Sequence, residues 1–131
     1  MSDFIATEND ADLRIIEGES GSRGVRLYTR EGLTDPENGY TFLVAYIAPF
    51  GSNNRHQHTV DEVMYVASGH GRAVKGDEEG ELPPGSLIHA PIGVMHQVFN
   101  DSPETMKLVC LFNPALPADE LSVLLGEGAN S

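Results

Sequence analysis

Short runs of alternating hydrophobic and polar residues recur along the chain and are separated by glycine- and proline-rich segments. Such alternation places successive side chains on opposite faces of a β-strand. The strands predicted in this way cover residues 25–28, 40–48, 62–67, 72–75, 87–90, 97–100 and 107–112. The turn-rich residues 34–39 precede the longest strand, and residues 76–80 predict a hairpin turn. Many short strands at regular spacing are typical of an all-β sandwich or barrel.

Only the C-terminal region shows a convincing helical pattern. Over residues 118–125, Leu121, Leu124 and Leu125 fall on one face, with Pro117 before the segment and Gly126 after it. Residues 1–12 are expected to form a loose arm. With no internal repeat or linker, residues 1–131 are expected to form one domain.

Composition and charge limit the classes of partner that the chain is expected to bind. Twenty Asp and Glu against eight Lys and Arg give a net charge of -12, which disfavours nucleic acid and anionic membrane surfaces as partners. Cys110 is the only cysteine, so the chain has no intramolecular disulfide. The sequence contains neither a signal-peptide pattern nor an apolar run of membrane-spanning length. A cytoplasmic protein with a small-molecule substrate is therefore expected.

The candidate functional residues are three histidines and one glutamate. His56 and His58 are separated by one residue, so an extended strand directs both side chains to one face. Glu62 follows four residues later, and His96 lies further along the chain. Three imidazoles and one carboxylate suit one divalent transition metal: iron, manganese, nickel, copper or zinc. The alternative is that each histidine is a surface or core residue with an ordinary hydrogen bond.

Two segments resemble the paired motifs of the cupin superfamily. Residues 51–69 read G-x4-H-x-H-x3-E-x6-G, and residues 85–100 read G-x5-P-x-G-x2-H-x3-N. The first segment has one residue fewer than the family pattern between Gly51 and His56, which affects the incoming turn and not the potential ligands. Fifteen residues separate the two segments, as in compact cupins.

The resemblance implies a fold and a ligand set. The fold is a small double-stranded β-helix, a jelly-roll barrel with a short C-terminal helix. The implied ligands of an interior metal are His56, His58, Glu62 and His96. Gly69 and Gly85 are expected at turns, Pro91 and Gly93 at the bend before His96, and Asn100 in a structural hydrogen-bonding role.

A second resemblance lies near the end of the chain. Residues 109–116 are similar to the C-terminal strand of ectoine synthases, which are also small cupins. Ectoine synthases do not keep the three-His, one-Glu set intact, however. Residues 41–45 also offer fewer polar side chains to the interior than expected of that enzyme. The similarity therefore indicates kinship among small cupins.

Alternation also predicts what surrounds the metal. Val63 and Tyr65 are expected on the outside of the barrel. The residues expected inside are Met64, Val66, Val98 and Asn100. The last strand directs inward either Leu108, Cys110 and Phe112 or Val109 and Leu111, and the similarity to ectoine synthases favours the first set. Cys110 is not expected to act as a nucleophile, because no neighbour in sequence lowers its pKa.

Three residues are candidates for roles beside the metal. Glu62 is expected to act as a base as well as a ligand. His89 is a candidate proton shuttle, or else it faces outward. Arg55 either holds a substrate carboxylate or is an exposed loop residue.

The site is compatible with several functions, and the fold does not choose among them. The favoured hypothesis is an oxidoreductase of the dioxygenase type, acting on a small carbonyl or carboxylate substrate chelated to the metal. The alternatives are a non-redox lyase, isomerase or cyclase and a non-catalytic binding cupin. A homodimer is also expected, because small barrels leave sheet edges and an apolar outer face to cover.

Overall fold

Antiparallel β-strands form most of the described chain. The computed structural model describes residues 4–18, 21–29 and 39–127. The strands are β1 (Leu13–Ile16), β2 (Arg23–Leu27), β3 (Thr41–Ile47), β4 (Asp61–Ser68), β5 (Gly71–Lys75), β6 (Glu78–Leu82), β7 (Leu87–Ala90), β8 (His96–Asn100) and β9 (Met106–Asn113). A short 3-10 helix (Glu8–Asp10) precedes them, and helix α1 (Ala118–Leu124) follows.

The strands form two sheets. One has six strands in the order β1-β2-β3-β9-β4-β7, and the other has three in the order β6-β5-β8. All pairs are antiparallel, and strands far apart in sequence, such as β3 and β9, are neighbours. This is an all-β sandwich, as the alternation predicted, in which each sheet presents one face to a shared core.

The core lies between the sheets and follows the predicted alternation. The residues expected inside are all buried, with at most 3% exposed: Met64, Val66, Val98, Asn100, Leu108, Cys110 and Phe112. Tyr65 is 47% exposed on the opposite face of β4, as predicted. Period-2 alternation therefore assigned the two faces of the central strands correctly.

Two strands, β1 and β6, were not predicted from the sequence. Residues 76–80 were predicted as a turn, but only Gly76 and Asp77 turn, and Glu78 begins β6. Apart from Leu82, β6 is exposed and rich in glutamate, so it carries no apolar signal. Its backbone pairing with β5 is what makes it a strand.

The N-terminal region is also more ordered than predicted. Within the expected loose arm, Ala11 is completely buried, and the carbonyls of Glu8 and Ala11 accept hydrogen bonds from Arg26. β1 then adds an edge strand beside β2. Residues 1–3, and residues 34–38 of the predicted turn, lie outside the described residues.

Helix α1 was predicted correctly to within one residue. Its leucines Leu121 and Leu124, with Leu125 just beyond, pack against the core between the sheets. Gly126 then adopts a positive φ of 75°, as is common where a helix ends. The helix therefore lies against the barrel.

Asn100 joins the two sheets through its side chain. Its amide nitrogen donates to the carbonyls of Ile47, Ala48 and Glu104, and its Oδ1 accepts from the backbone and hydroxyl of Ser102. β8 and β3 belong to different sheets, so these bonds hold the layers in register. The structural role predicted for this asparagine is confirmed.

Replacing Asn100 should reduce stability without disturbing the rest of the barrel. Asn100→Ala leaves several buried carbonyls and the Ser102 donors without their partner. We expect a loss of about 3 kcal/mol in the free energy of unfolding, measured by urea denaturation. Ser102→Ala removes one of these bonds and should cost about 1 kcal/mol. Equal stability of Asn100→Ala and the unchanged protein would contradict this role.

The outer face of the six-stranded sheet carries an exposed apolar row. Tyr65 on β4 lies directly opposite Leu87 on β7, and these side chains are 47% and 68% exposed. At the other side of the sheet, Leu13 and Ile15 of β1 are 45% and 58% exposed. Exposed apolar side chains at the edges of a sheet favour association with a partner. No helix in the described ranges meets the length and hydropathy needed to cross a membrane.

We propose that a second copy of the chain covers this face in a two-fold symmetric contact. Sedimentation should then give about twice the chain mass of 14.1 kDa. Leu87→Glu should shift the protein to monomer, because a buried unpaired charge opposes association. Ile92→Glu is the matched control, since Ile92 is 57% exposed but lies in a turn outside the sheets. A monomeric unchanged protein at micromolar concentration would refute the proposal.

Candidate metal centre

The four residues predicted as metal ligands come together at one end of the barrel. Glu62 is near the start of β4, where it lies opposite Phe112 of β9 and Ala90 of β7. His96 begins β8, and its backbone forms two hydrogen bonds with His56, of 2.8 and 3.0 Å. The two sequence segments are therefore joined directly at their ligands.

The bend before His96 also anchors His58. Gly93 has a positive φ of 72°, which residues with a side chain rarely adopt. In this conformation its N–H donates to the carbonyl of His58 at 2.9 Å. The predicted bend at Pro91 and Gly93 is thus part of the contact between the two segments.

The side chains converge on one point. One ligand atom from each of the four residues lies within 4.8 Å of the others. The Glu62 carboxylate oxygen Oε1 is 3.2 Å from Nε2 of His96 and 3.7 Å from Nε2 of His58. His58, Glu62 and His96 are buried, whereas His56 is partly exposed. Access from solvent is therefore on the His56 side.

Each imidazole has an acceptor oxygen beside its Nδ1 atom. Nδ1 of His56 contacts the carbonyl of Asn54, and Nδ1 of His96 lies 3.1 Å from the carbonyl of Val94. The remaining acceptor is the Glu120 carboxylate, 3.5 Å from Nδ1 of His58. A proton held at Nδ1 leaves the Nε2 lone pair free for a metal.

Burial and neighbouring charges act differently on the three rings. Burial lowers the pKa of His56 to about 4, and the nearby His96 and His58 rings add to the effect. Burial also lowers the pKa of His58, although the Glu62 and Glu120 carboxylates oppose it. For His96, burial is outweighed by hydrogen bonds to Glu62 and the Val94 carbonyl, which raise its pKa. Neutral His56 and His58 are in the form that ligates metals.

One atom of the cluster suits a bound cation. Nε2 of His58 is buried and has no hydrogen-bond partner, although it faces the Glu62 carboxylate. A buried nitrogen lone pair opposite a carboxylate is unfavourable unless a proton or a metal cation lies between them. Three histidines and one glutamate therefore form a candidate metal-binding site whose donors suit a divalent transition metal.

The wall around the site is apolar. The Phe112 ring meets the His58 ring edge-on, with centroids 5.0 Å apart. Cys110 is fully buried beside Glu62, and burial together with the Glu62 charge raises the pKa of its thiol well above the usual value. Cys110 is therefore not a nucleophile, as expected from the sequence.

The structure corrects the catalytic role predicted for His89. This residue lies opposite Val63 on β4, whereas the adjacent Ala90 lies opposite Glu62. Because successive residues of a strand face opposite sides, His89 points away from the cluster. Its side chain is 57% exposed and lies 3.7 Å from Asp61. Arg55 is exposed as well, which matches the simpler of its two predicted readings.

Two residues beside the site were missed in the sequence. Glu120 of α1 reaches His58 from the far end of the chain, and no motif indicated it. Arg23 shares the inward face of β2 with Val25, donates to the carbonyl of Leu124, and adds to the lowered pKa of His56 after burial and the neighbouring rings. The first strand was predicted to begin at residue 25. Had it begun at residue 23, the alternation would have placed Arg23 on the same face as Val25.

Comparison with known families identifies the class of protein. A family model for the cupin domain matches residues 43–112, which include both ligand segments and the strands around them. The chain belongs to the cupin family.

Two curated relatives match parts of the chain. An acireductone dioxygenase from Exiguobacterium sibiricum is 48% identical over 46 residues, covering 31% of this chain and 26% of that protein. An uncharacterized protein from Streptomyces coelicolor is 30% identical over 63 residues, covering 48% of this chain and 59% of that protein. The chain thus spans less than two thirds of either relative.

Solved structures share the fold at low identity. A predicted oxalate decarboxylase from Thermotoga maritima superposes with a TM-score of 0.75 at 14% identity, covering 85% of this chain and 99% of that one. Ectoine synthase from P. lautus gives a TM-score of 0.68 at 19% identity, covering 85% and 76%. These similarities show a common fold.

Removing a buried histidine of the cluster should abolish metal binding. In His58→Ala and His96→Ala, three remaining ligands hold a divalent ion far less well, whereas the apolar core is unchanged. We expect a metal content below about one tenth of the unchanged protein by plasma mass spectrometry, with an unaltered circular dichroism spectrum. His89→Ala, which removes an exposed histidine outside the cluster, should retain full metal content. Full occupancy in both cluster variants would refute the ligand assignment.

Proposed function

We propose that this protein is a mononuclear metal-dependent cupin enzyme of the dioxygenase type. Its substrate is a small carbonyl or carboxylate compound that chelates the metal. The observation that carries the proposal is the convergence of three imidazoles and one carboxylate, with the Nε2 atom of His58 buried and unpartnered.

A relative supports the reaction class. The 46-residue match with an acireductone dioxygenase is the most identical stretch among the curated relatives described above. It covers about a quarter of that protein, so the same class of reaction is supported more strongly than the same substrate.

His56, His58, Glu62 and His96 would hold the metal. When bound, a redox-capable divalent metal supplies coordination of the substrate and electron transfer towards oxygen. The partial exposure of His56 gives a small substrate its approach, while the buried side with Phe112 and Met64 excludes water. A dry wall protects a reactive oxygenation step from hydrolysis.

Glu62 is the residue best placed to accept a proton. Its carboxylate lies among the Nε2 atoms of His58 and His96 and is 4% exposed. A carboxylate can release one oxygen from a metal and accept a proton, which an imidazole bound through its lone pair cannot do. In the dioxygenase proposal, Glu62 would accept a proton from an enolisable substrate bound beside it.

Metal exchange and oxygen consumption test the reaction class. Protein loaded with iron or nickel should consume oxygen when supplied with small enolisable carbonyl compounds, and zinc-loaded protein should not, because zinc has no accessible second oxidation state. Oxygen-electrode traces and product analysis by mass spectrometry make the measurement. Turnover by zinc-loaded protein under nitrogen would refute dioxygenase chemistry and favour the non-redox lyase, isomerase or cyclase.

Glu62→Gln distinguishes ligation from proton transfer within the same assay. Glutamine keeps an oxygen ligand but cannot accept a proton at neutral pH, so most of the metal should remain while oxygen consumption falls about 100-fold or more. Arg55→Ala, which changes an exposed side chain beside His56, is the control. Undiminished turnover of the glutamine variant would exclude Glu62 as the base.

A further inference from the structure

Helix α1 reaches the candidate metal centre through one side chain. Glu120 lies in its first turn, and its side chain is 21% exposed above the loop that carries His58. The backbone N–H of Thr59 donates to Glu120 Oε1 at 3.0 Å, and the Thr59 hydroxyl donates to Oε2. The carboxylate is therefore held from two sides directly beside a ligand.

The same carboxylate oxygen also faces the His58 ring. Oε1 of Glu120 is 3.5 Å from Nδ1 of His58, while Nε2 on the other side of the ring is buried and points towards Glu62. With a proton on Nδ1, the ring donates outward to Glu120 and presents its lone pair inward. A carboxylate in this position sets both the tautomer and the orientation of a metal-bound histidine.

Glu120 differs in kind from the acceptors of the other two rings. The Nδ1 atoms of His56 and His96 face the backbone carbonyls of Asn54 and Val94, each two residues earlier in the chain. These two acceptors belong to the same loops as the histidines. The acceptor for His58 is instead the charged carboxylate of Glu120, in a helix 61 residues beyond Thr59 in the chain. A charged acceptor increases the basicity of the ring more than a carbonyl does.

We propose that Glu120 is a positioning residue of the metal centre, which fixes the Nδ1–H tautomer of His58 and directs its Nε2 atom at the metal. The inference rests on metal binding at His56, His58, Glu62 and His96 and adds to it a carboxylate outside the ligand set. It makes the C-terminal helix part of the site.

Two measurements test this role. In metal-free protein, long-range nitrogen–proton NMR spectra report the His58 tautomer, which should be Nδ1–H in the unchanged protein and mixed or reversed in Glu120→Ala. In metal-loaded protein, competition with a chelator gives the affinity for zinc or cobalt, which should fall about 10- to 100-fold in Glu120→Ala. Glu120→Gln keeps an oxygen acceptor for Nδ1 and should restore the tautomer and most of the affinity.

A matched variant separates positioning from the loss of a charge in the helix. Asp119→Ala removes the neighbouring charge of the same turn. It should keep the tautomer and bind metal within about 3-fold of the unchanged protein. A loss of affinity in Asp119→Ala equal to that in Glu120→Ala would overturn the proposal. An unchanged tautomer and affinity in Glu120→Ala would overturn it as well.

The same measurements distinguish a failure of the metal site from a failure of the role proposed for Glu120. If the unchanged protein binds neither zinc nor cobalt, the proposed function fails, and the tautomer in metal-free protein still decides the role of Glu120. If the unchanged protein binds metal and Glu120→Ala binds it equally well, the metal site stands and the positioning role is refuted.

Discussion

The site depends on one constraint: three imidazoles and one carboxylate must converge on one point inside an apolar barrel. Buried polar and charged groups are unfavourable alone, so this arrangement needs firm support. Oxygen acceptors beside all three Nδ1 atoms supply that support. The short turns, the bend at Gly93 and the placement of α1 against His58 all serve to hold these rings.

The barrel provides the support because its two sheets are tied at both ends. At one end, the backbones of His56 and His96 bond each other, and Gly93 bonds His58. At the other end, Asn100 connects the three-stranded sheet with β3 of the six-stranded sheet. Between them lies a core of buried aliphatic side chains and Phe112. The ligands are therefore held at one end of the barrel, and Asn100 ties the sheets at the other.

Reaction chemistry is limited by what surrounds the ligands. Cys110 is buried with a raised pKa and His89 faces solvent, so neither supplies a nucleophile or a base at the centre. Among the described residues around the cluster, Glu62 combines proton-accepting chemistry with contact to two ligand nitrogens. Arg23 adds a positive charge that contributes to the electrostatics of His56.

The sequence by itself determined the four candidate ligands, the inward faces of β4 and β8, and a helix predicted over residues 118–125, while similarity to ectoine synthases selected the inward face of β9. These features are local: the same-face spacing of His56 and His58 and period-2 alternation follow from backbone geometry alone. Only the tertiary structure decided the roles of β1, β6, His89 and Glu120. An edge strand with few buried side chains shows itself through its pairing partner, and a register between strands sets which way His89 points. The contact of Glu120 with His58 joins distant parts of the chain, which only folding brings together.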